Sequence, residues 1–169
     1  MTKTLYYINA CPGARAVRLF SRYSKIHMNE KLINLKEGEH MKEDFLKLNP
    51  MHTVPTIKLK NGNGMYESRL ILKYLAGMYK NNKNNTNSLE IDHWLFWDIG
   101  FLNTNVGKVI YPRLFMNSEP TQKDIDRLVE KLEHLNKHLE NNSFLVDNKL
   151  SIADISSAML IYNSQIRND

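Results

Sequence analysis

The chain holds a single cysteine, Cys11, with Pro12 directly after it and Arg15 one helical turn further on. Thr4–Ile8 read as a short buried strand, and Ala14, Val17, Leu19, Phe20 and Tyr23 carry the apolar spacing of a helix from about Ala14 to Ile26. Cys11 therefore falls at a strand-to-helix turn. There the positive end of the helix and the Arg15 guanidinium both favour a thiolate. Such a group can donate a hydrogen bond or act as a nucleophile. With no second cysteine to resolve it, a mixed disulfide at Cys11 has to be released by an outside thiol. Tyr6 and Tyr7, just upstream, are the other candidate donors, and a buried, inert thiol is the plain structural reading.

Two further stretches carry chemistry. Glu67-Ser68 stands where a strand turns into a helix, so the carboxylate can meet an ammonium while the hydroxyl and the first helical amides meet a carboxylate. The same pair would serve equally as an ordinary helix cap. Val54-Pro55 precedes a strand; a cis proline there would hold the strand edge open to an added extended ligand. His134 and His138 have the i,i+4 spacing of a metal pair, but no third ligand accompanies them and no metal is expected.

The elements that must position these groups change character near residue 80. Strands are expected at Thr4–Ile8, Lys31–Leu35, Thr56–Leu59 and Met65–Glu67, and helices at Ala14–Ile26, Lys42–Leu48 and Ser68–Lys80, in the order βαβαββα. Asn61-Gly62-Asn63-Gly64 supplies the turn between the last two strands. The polar run at 81–88 reads as a linker between a 1–80 domain and an all-helical 89–169 domain. In the second domain Leu89 to about Phe115 is helical and ends near Tyr111-Pro112. Thr121 with Asp124 opens a long amphipathic helix, and Ser151 with Asp154 opens another, the serine hydroxyl accepting from the Asp154 amide. Ala158 to Tyr162 are all apolar, so that helix is expected to need more cover than the residues after it supply.

The bulk composition narrows the partners. With 169 residues, 42% hydrophobic and 24% charged, the chain is expected to be an ordered globular protein. Its 23 basic and 18 acidic residues are interspersed, which accounts for the net charge of +5 without nucleic acid. No apolar run reaches membrane-spanning length, and a lone cysteine fits a reducing setting; a cytoplasmic protein is the expectation, with neither nucleic acid nor membrane as partner.

LYYINACPGARAV, EGEHMKEDFLKLNPMHTVPTI, YESRLILKYL and LSIADI, in that order and at those separations, resemble a cytosolic glutathione transferase of the delta or theta type. The resemblance runs from Thr4 to about Tyr162. It implies a thioredoxin-like α/β domain followed by an all-α helical bundle, and an enzyme joining glutathione to small hydrophobic electrophiles, with glutathione as co-substrate, no other cofactor, and a homodimer as the assembly. Residue by residue it implies that Cys11 stands at the catalytic serine position, with Tyr7 near the position used by other classes. It places His40, His52, Thr53, Val54, Pro55, Glu67, Ser68 and Arg69 around glutathione, and Tyr111 and Phe115 in the hydrophobic substrate pocket. Two departures stand out: the cysteine in place of serine, and the absence of the helices that follow LSIADI in the family. The CPGAR stretch also resembles the turn of omega-class transferases and glutaredoxins, so a thiol transferase using Cys11 covalently is the alternative, and a non-catalytic glutathione-binding or protein-interaction module is the second.

Overall fold

Strand β1 (Thr4–Tyr7) alternates faces, burying Leu5 completely on one side while Tyr6 points to the other. It is the centre of a four-stranded sheet in the order β2-β1-β3-β4, with β2 at Asn29–Leu32, β3 at Thr56–Lys58 and β4 at Gly64–Tyr66. β1 pairs parallel with β2 and antiparallel with β3, and β3 pairs antiparallel with β4. Helices α1 (Pro12–Tyr23), α2 (Glu43–Leu46) and α3 (Ser68–Met78) complete a thioredoxin-like βαβαββα unit. In this computed structural model residues 2–79 and 89–165 are described, and the chain divides into two units, Met1–Thr86 and Asn87–Asp169. The linker expected at 81–88 lies outside the described residues.

α1 starts two residues earlier than its apolar spacing predicts, because Pro12 at the first helical position needs no amide partner and presets φ. It stops at Tyr23, where Lys25 takes a left-handed φ of 56°. β2 lies two residues upstream of its expected place. Its register follows from the backbone ladder Thr4↔Asn29 to Tyr7↔Leu32, and all four of its side chains are exposed, so apolar alternation could not mark it. The hairpin between β3 and β4 turns at Gly62, whose φ of 91° suits glycine. α1 and α3 pack together on the Leu5 face through Val17, Phe20, Ile71, Leu72 and Leu75, all buried.

The second unit is all helical. α4 (Leu89–Trp97) passes through a π-helical turn at Asp98–Leu102 into α5 (Asn103–Phe115). The helix ends at Phe115, as the stretch from Leu89 predicts, but the expected stop near Tyr111-Pro112 is not made: Pro112 lies inside α5. Lys108, whose carbonyl loses its amide, is exposed, so water can serve it and the helix runs on. α6 (Gln122–Leu139) and α7 (Ile152–Gln165) enclose a core of Leu102, Val106, Val109, Ile110, Leu128 and Leu160. In α7 Leu160 is buried while Ala158 and Tyr162 are exposed. Among the described residues no helix is long and apolar enough to cross a membrane.

Both expected helix starts form, one with altered bonding. Thr121 Oγ1 accepts from the Asp124 amide at 3.2 Å. At the other, Ser151 Oγ accepts from Ala153 (3.2 Å) rather than from Asp154. Asp154 Oδ2 takes the Ser151 amide (2.8 Å) and hydroxyl (2.6 Å), and its Oδ1 takes the Leu145 amide at 2.8 Å. The carboxylate thus ties the loop before α7 to the helix itself. Asp154→Ala strands the amide of buried Leu145 and is expected to cost about 2–3 kcal/mol, read as a lower midpoint in urea.

Candidate functional site

Cys11 is the residue before α1, with φ −79° and ψ 115°, and its side chain makes no cap bond to the helix amides. Instead Sγ donates to the Val54 carbonyl at 3.3 Å, bridging 43 positions of sequence. Burial pushes the thiol above its ordinary value, against the opposing pull of the Ala14 and Gly13 amides and the charges of Arg69 and Arg15. This reverses the direction expected from the helix end and Arg15 alone: desolvation of the charged form outweighs both.

Val54-Pro55 is a cis peptide bond, with Pro55 buried at the head of β3. The loop before it is held by a residue whose importance the sequence did not reveal. Asn49 is fully buried; its Nδ2 donates to the Thr53 carbonyl (2.9 Å), Thr53 Oγ1 (3.0 Å) and Thr56 Oγ1 (2.9 Å), while its Oδ1 accepts from the Met51 amide. The Asn49-Pro50 pair at the end of a short helix was its one available signal, and that pattern reads equally as a surface turn. The brace fixes Thr53 and leaves His52 exposed with a left-handed φ of 46°. His40 comes beside it, the two ring centroids 6.1 Å apart, and His40 Nδ1 is buried without a hydrogen-bond partner.

The start of α3 closes on the start of α1. A Cβ at Gly13 would lie 2.7 Å from Ser68 Oγ and 3.5 Å from Pro55 Cδ, so this approach requires glycine in the first turn of α1. Ser68 is buried and Arg69 Nη1 donates to its Oγ at 3.0 Å. Glu67, exposed before α3, has φ 70° and makes no side-chain cap bond. Two helix N-termini, a cis-proline edge and the thiol therefore meet in one place, with Arg69 beside them. Such a place suits an anionic ligand with an extended backbone.

Other expected residues lie elsewhere. Tyr6 packs edge-on against Phe45 at 5.6 Å on the α2 face. Tyr7 lies under the Arg18 guanidinium, 4.1 Å from its ring centroid. Tyr111, in the helical unit, is half-exposed with its ring over Gly107; Phe115 ends α5 and its side chain lies outside the described residues. His138 Nε2 is 3.0 Å from the Leu145 carbonyl with its ring against Trp94, and His134 stacks on Trp97.

The family model for the glutathione S-transferase N-terminal domain matches residues 10–78, the stretch that holds these groups in the first unit. Among solved structures, a delta-class glutathione transferase from Nilaparvata lugens is 31% identical with a TM-score of 0.88, over 94% of this chain and 76% of that one. A Bombyx mori glutathione transferase is 32% identical with a TM-score of 0.88, over 95% and 76%. An epsilon-class enzyme from the housefly, Musca domestica, is 30% identical with a TM-score of 0.85, over 94% and 76%. With both units aligned and identity above 30% across nearly all its residues, the chain belongs to the glutathione transferase family.

Proposed function

We propose that the first unit binds glutathione along the Val54-Pro55 edge and that Cys11 acts as a hydrogen-bond donor to its sulphur, activating it for attack on a small hydrophobic electrophile. One observation carries this reading: the Cys11 thiol already donates, to the Val54 carbonyl, and burial shifts its pKa upward although the residue as a whole is half-buried. A protonated thiol stabilises a neighbouring thiolate as a serine hydroxyl would. Glutathione's cysteinyl amide pairs with the Val54 backbone as an added strand. Its γ-glutamyl ammonium pairs with Glu67, and its carboxylate meets Ser68, the α3 amides and Arg69. The lack of any cap bond from Glu67, and its strained φ, support a ligand-facing role over simple capping. His40 and His52, with Thr53 between them and the proline, serve the glycine carboxylate. Glutathione's thiol gives up its proton to water, and the thiolate so formed makes the new carbon–sulphur bond as the electrophile's leaving group departs with its electron pair.

The role of Tyr111 and Phe115 toward the electrophile rests on the resemblance alone, as does the homodimer; the cytoplasmic setting draws also on the lone cysteine and the lack of a long apolar run in the sequence. The thiol-transfer alternative, a mixed disulfide on Cys11, draws support from the Gly13 and Ala14 amides and the two arginines, all of which pull the thiol's pKa down. Burial has the larger effect, so the donor reading is preferred.

Three measurements test the assignment. Glu67→Gln should fold normally and lose about 1–3 kcal/mol of glutathione affinity in calorimetric titration; unchanged affinity would remove Glu67 from the site. Cys11→Ser should keep or raise conjugation of glutathione to chlorodinitrobenzene, since a hydroxyl is the better donor; loss of conjugation would overturn the donor reading, and a glutathionyl adduct on wild-type Cys11 in mass spectrometry, removed by glutathione, would favour the covalent route. Because its pKa is raised, Cys11 should react with iodoacetamide more slowly than free cysteine at neutral pH and catch up only at higher pH. The same sign means that the thiol's contribution to stability is complete below the ordinary thiol value and is lost as pH rises through the raised one.

A further inference from the structure

Arg18, on α1, directs its guanidinium at the turn that carries Cys11. Nη1 donates to Asn9 Oδ1 at 3.1 Å, and Nε and Nη2 both donate to Glu30 Oε2, at 3.1 and 2.9 Å. Its flat face covers the Tyr7 ring at 4.1 Å. One side chain thus joins four segments: the end of β1, the turn after it, α1 and β2. Asn9 and Ala10 are exposed, and the turn's own closing bond, Cys11 amide to Ile8 carbonyl, is long at 3.3 Å. A turn so exposed needs an anchor to hold its last residue in place. Glu30 in turn keeps Arg18 in position and stands 3.7 Å from Arg22. A guanidinium that donates from three nitrogens, two of them to the single oxygen Glu30 Oε2, while stacked on a ring is held in a way an ammonium cannot reproduce.

We propose that Arg18 is a positioning residue for the reaction: by holding Asn9 it fixes the Ile8–Cys11 turn, and with it the place of the Cys11 sulphur beside Val54. The proposal rests on the reading of Cys11 as the group that serves glutathione's sulphur. The charges acting on the thiol are those of Arg69 and Arg15, so Arg18 contributes through geometry.

The test compares Asn9→Ala, Asn9→Asp, Arg18→Ala and the double alanine variant with the wild-type chain. Asn9→Ala removes one exposed acceptor, so its melting midpoint should stay within about two degrees of wild type. Its kcat for conjugation to chlorodinitrobenzene should fall roughly three- to tenfold with KM for glutathione unchanged, as expected for a misplaced reacting group. Alkylation of Cys11 by iodoacetamide should speed up, because a sulphur released from Val54 loses part of the burial that keeps it protonated. Asn9→Asp, which keeps an acceptor for Nη1, should restore both rates, and the double variant should be no worse than Arg18→Ala. Wild-type kcat and alkylation in folded Asn9→Ala and Arg18→Ala overturn the proposal, as does failure of Asn9→Asp to restore them. If the wild-type chain conjugates nothing, the transferase reading fails by itself, and the alkylation rates alone decide whether Arg18 places the sulphur.

Discussion

The approach of two helix starts is the constraint on which the first unit depends. Gly13 of α1 lies so close to Ser68 of α3 that no larger residue fits, and the cis Pro55 ring lies against the same point. Each helix start carries partial positive charge, so bringing two together is unfavourable in itself. The buried contacts of Val17, Phe20, Ile71, Leu72 and Leu75 hold them there. Apolar packing therefore maintains an arrangement of dipoles that an anion would relieve. That is a reason to expect a carboxylate-bearing ligand at this point which does not depend on the identity of any single side chain.

Burial bears on Cys11 as well. A cysteine at a helix start is commonly an activated one, but activation by amides and arginines requires that the thiolate not be desolvated faster than it is stabilised. Here the sulphur sits against Val54 with its proton engaged, and desolvation has the larger effect. A bound thiol with an ionised sulphur would offer the proton a second acceptor. In the proposed reading, the balance that weakens the cysteine as a nucleophile is the one that suits it to donate.

Much of this was legible in the sequence, and the reason varies residue by residue. The order of strands and helices followed from apolar spacing, because buried faces impose periodicity. Val54-Pro55 and Glu67-Ser68 were visible because proline and a strand-to-helix junction mark backbone geometry directly. β2 was misplaced because its exposed side chains carry no period, and its position is fixed by amides pairing with β1. Pro112 reads as a helix stop in the sequence, but its cost depends on whether the freed carbonyl meets water, which only the fold decides. The direction of the Cys11 shift could not be read either, since burial exists only after folding, which brings the sulphur to Val54 from 43 residues away. Asn49 and Arg18 were missed for a related reason: each acts by joining segments whose proximity exists only after folding.

In the helical unit a comparable role falls to a buried acid. Apolar contact is non-directional, so α7, with Ile152, Ala153, Ile155 and Leu160 all buried, could slide against α4 and α5 at little cost. Asp98, wholly buried in the π-helical turn, accepts a short hydrogen bond from Ser156 in the second turn of α7, 58 positions away. Hydrogen bonds lose strength steeply with misalignment, so this contact distinguishes one register of α7 from its neighbours. Asp154 does the same at the helix start by gripping Leu145. Burying an acid brings little net stability; its effect here is to allow α7 one position, which apolar packing then stabilises.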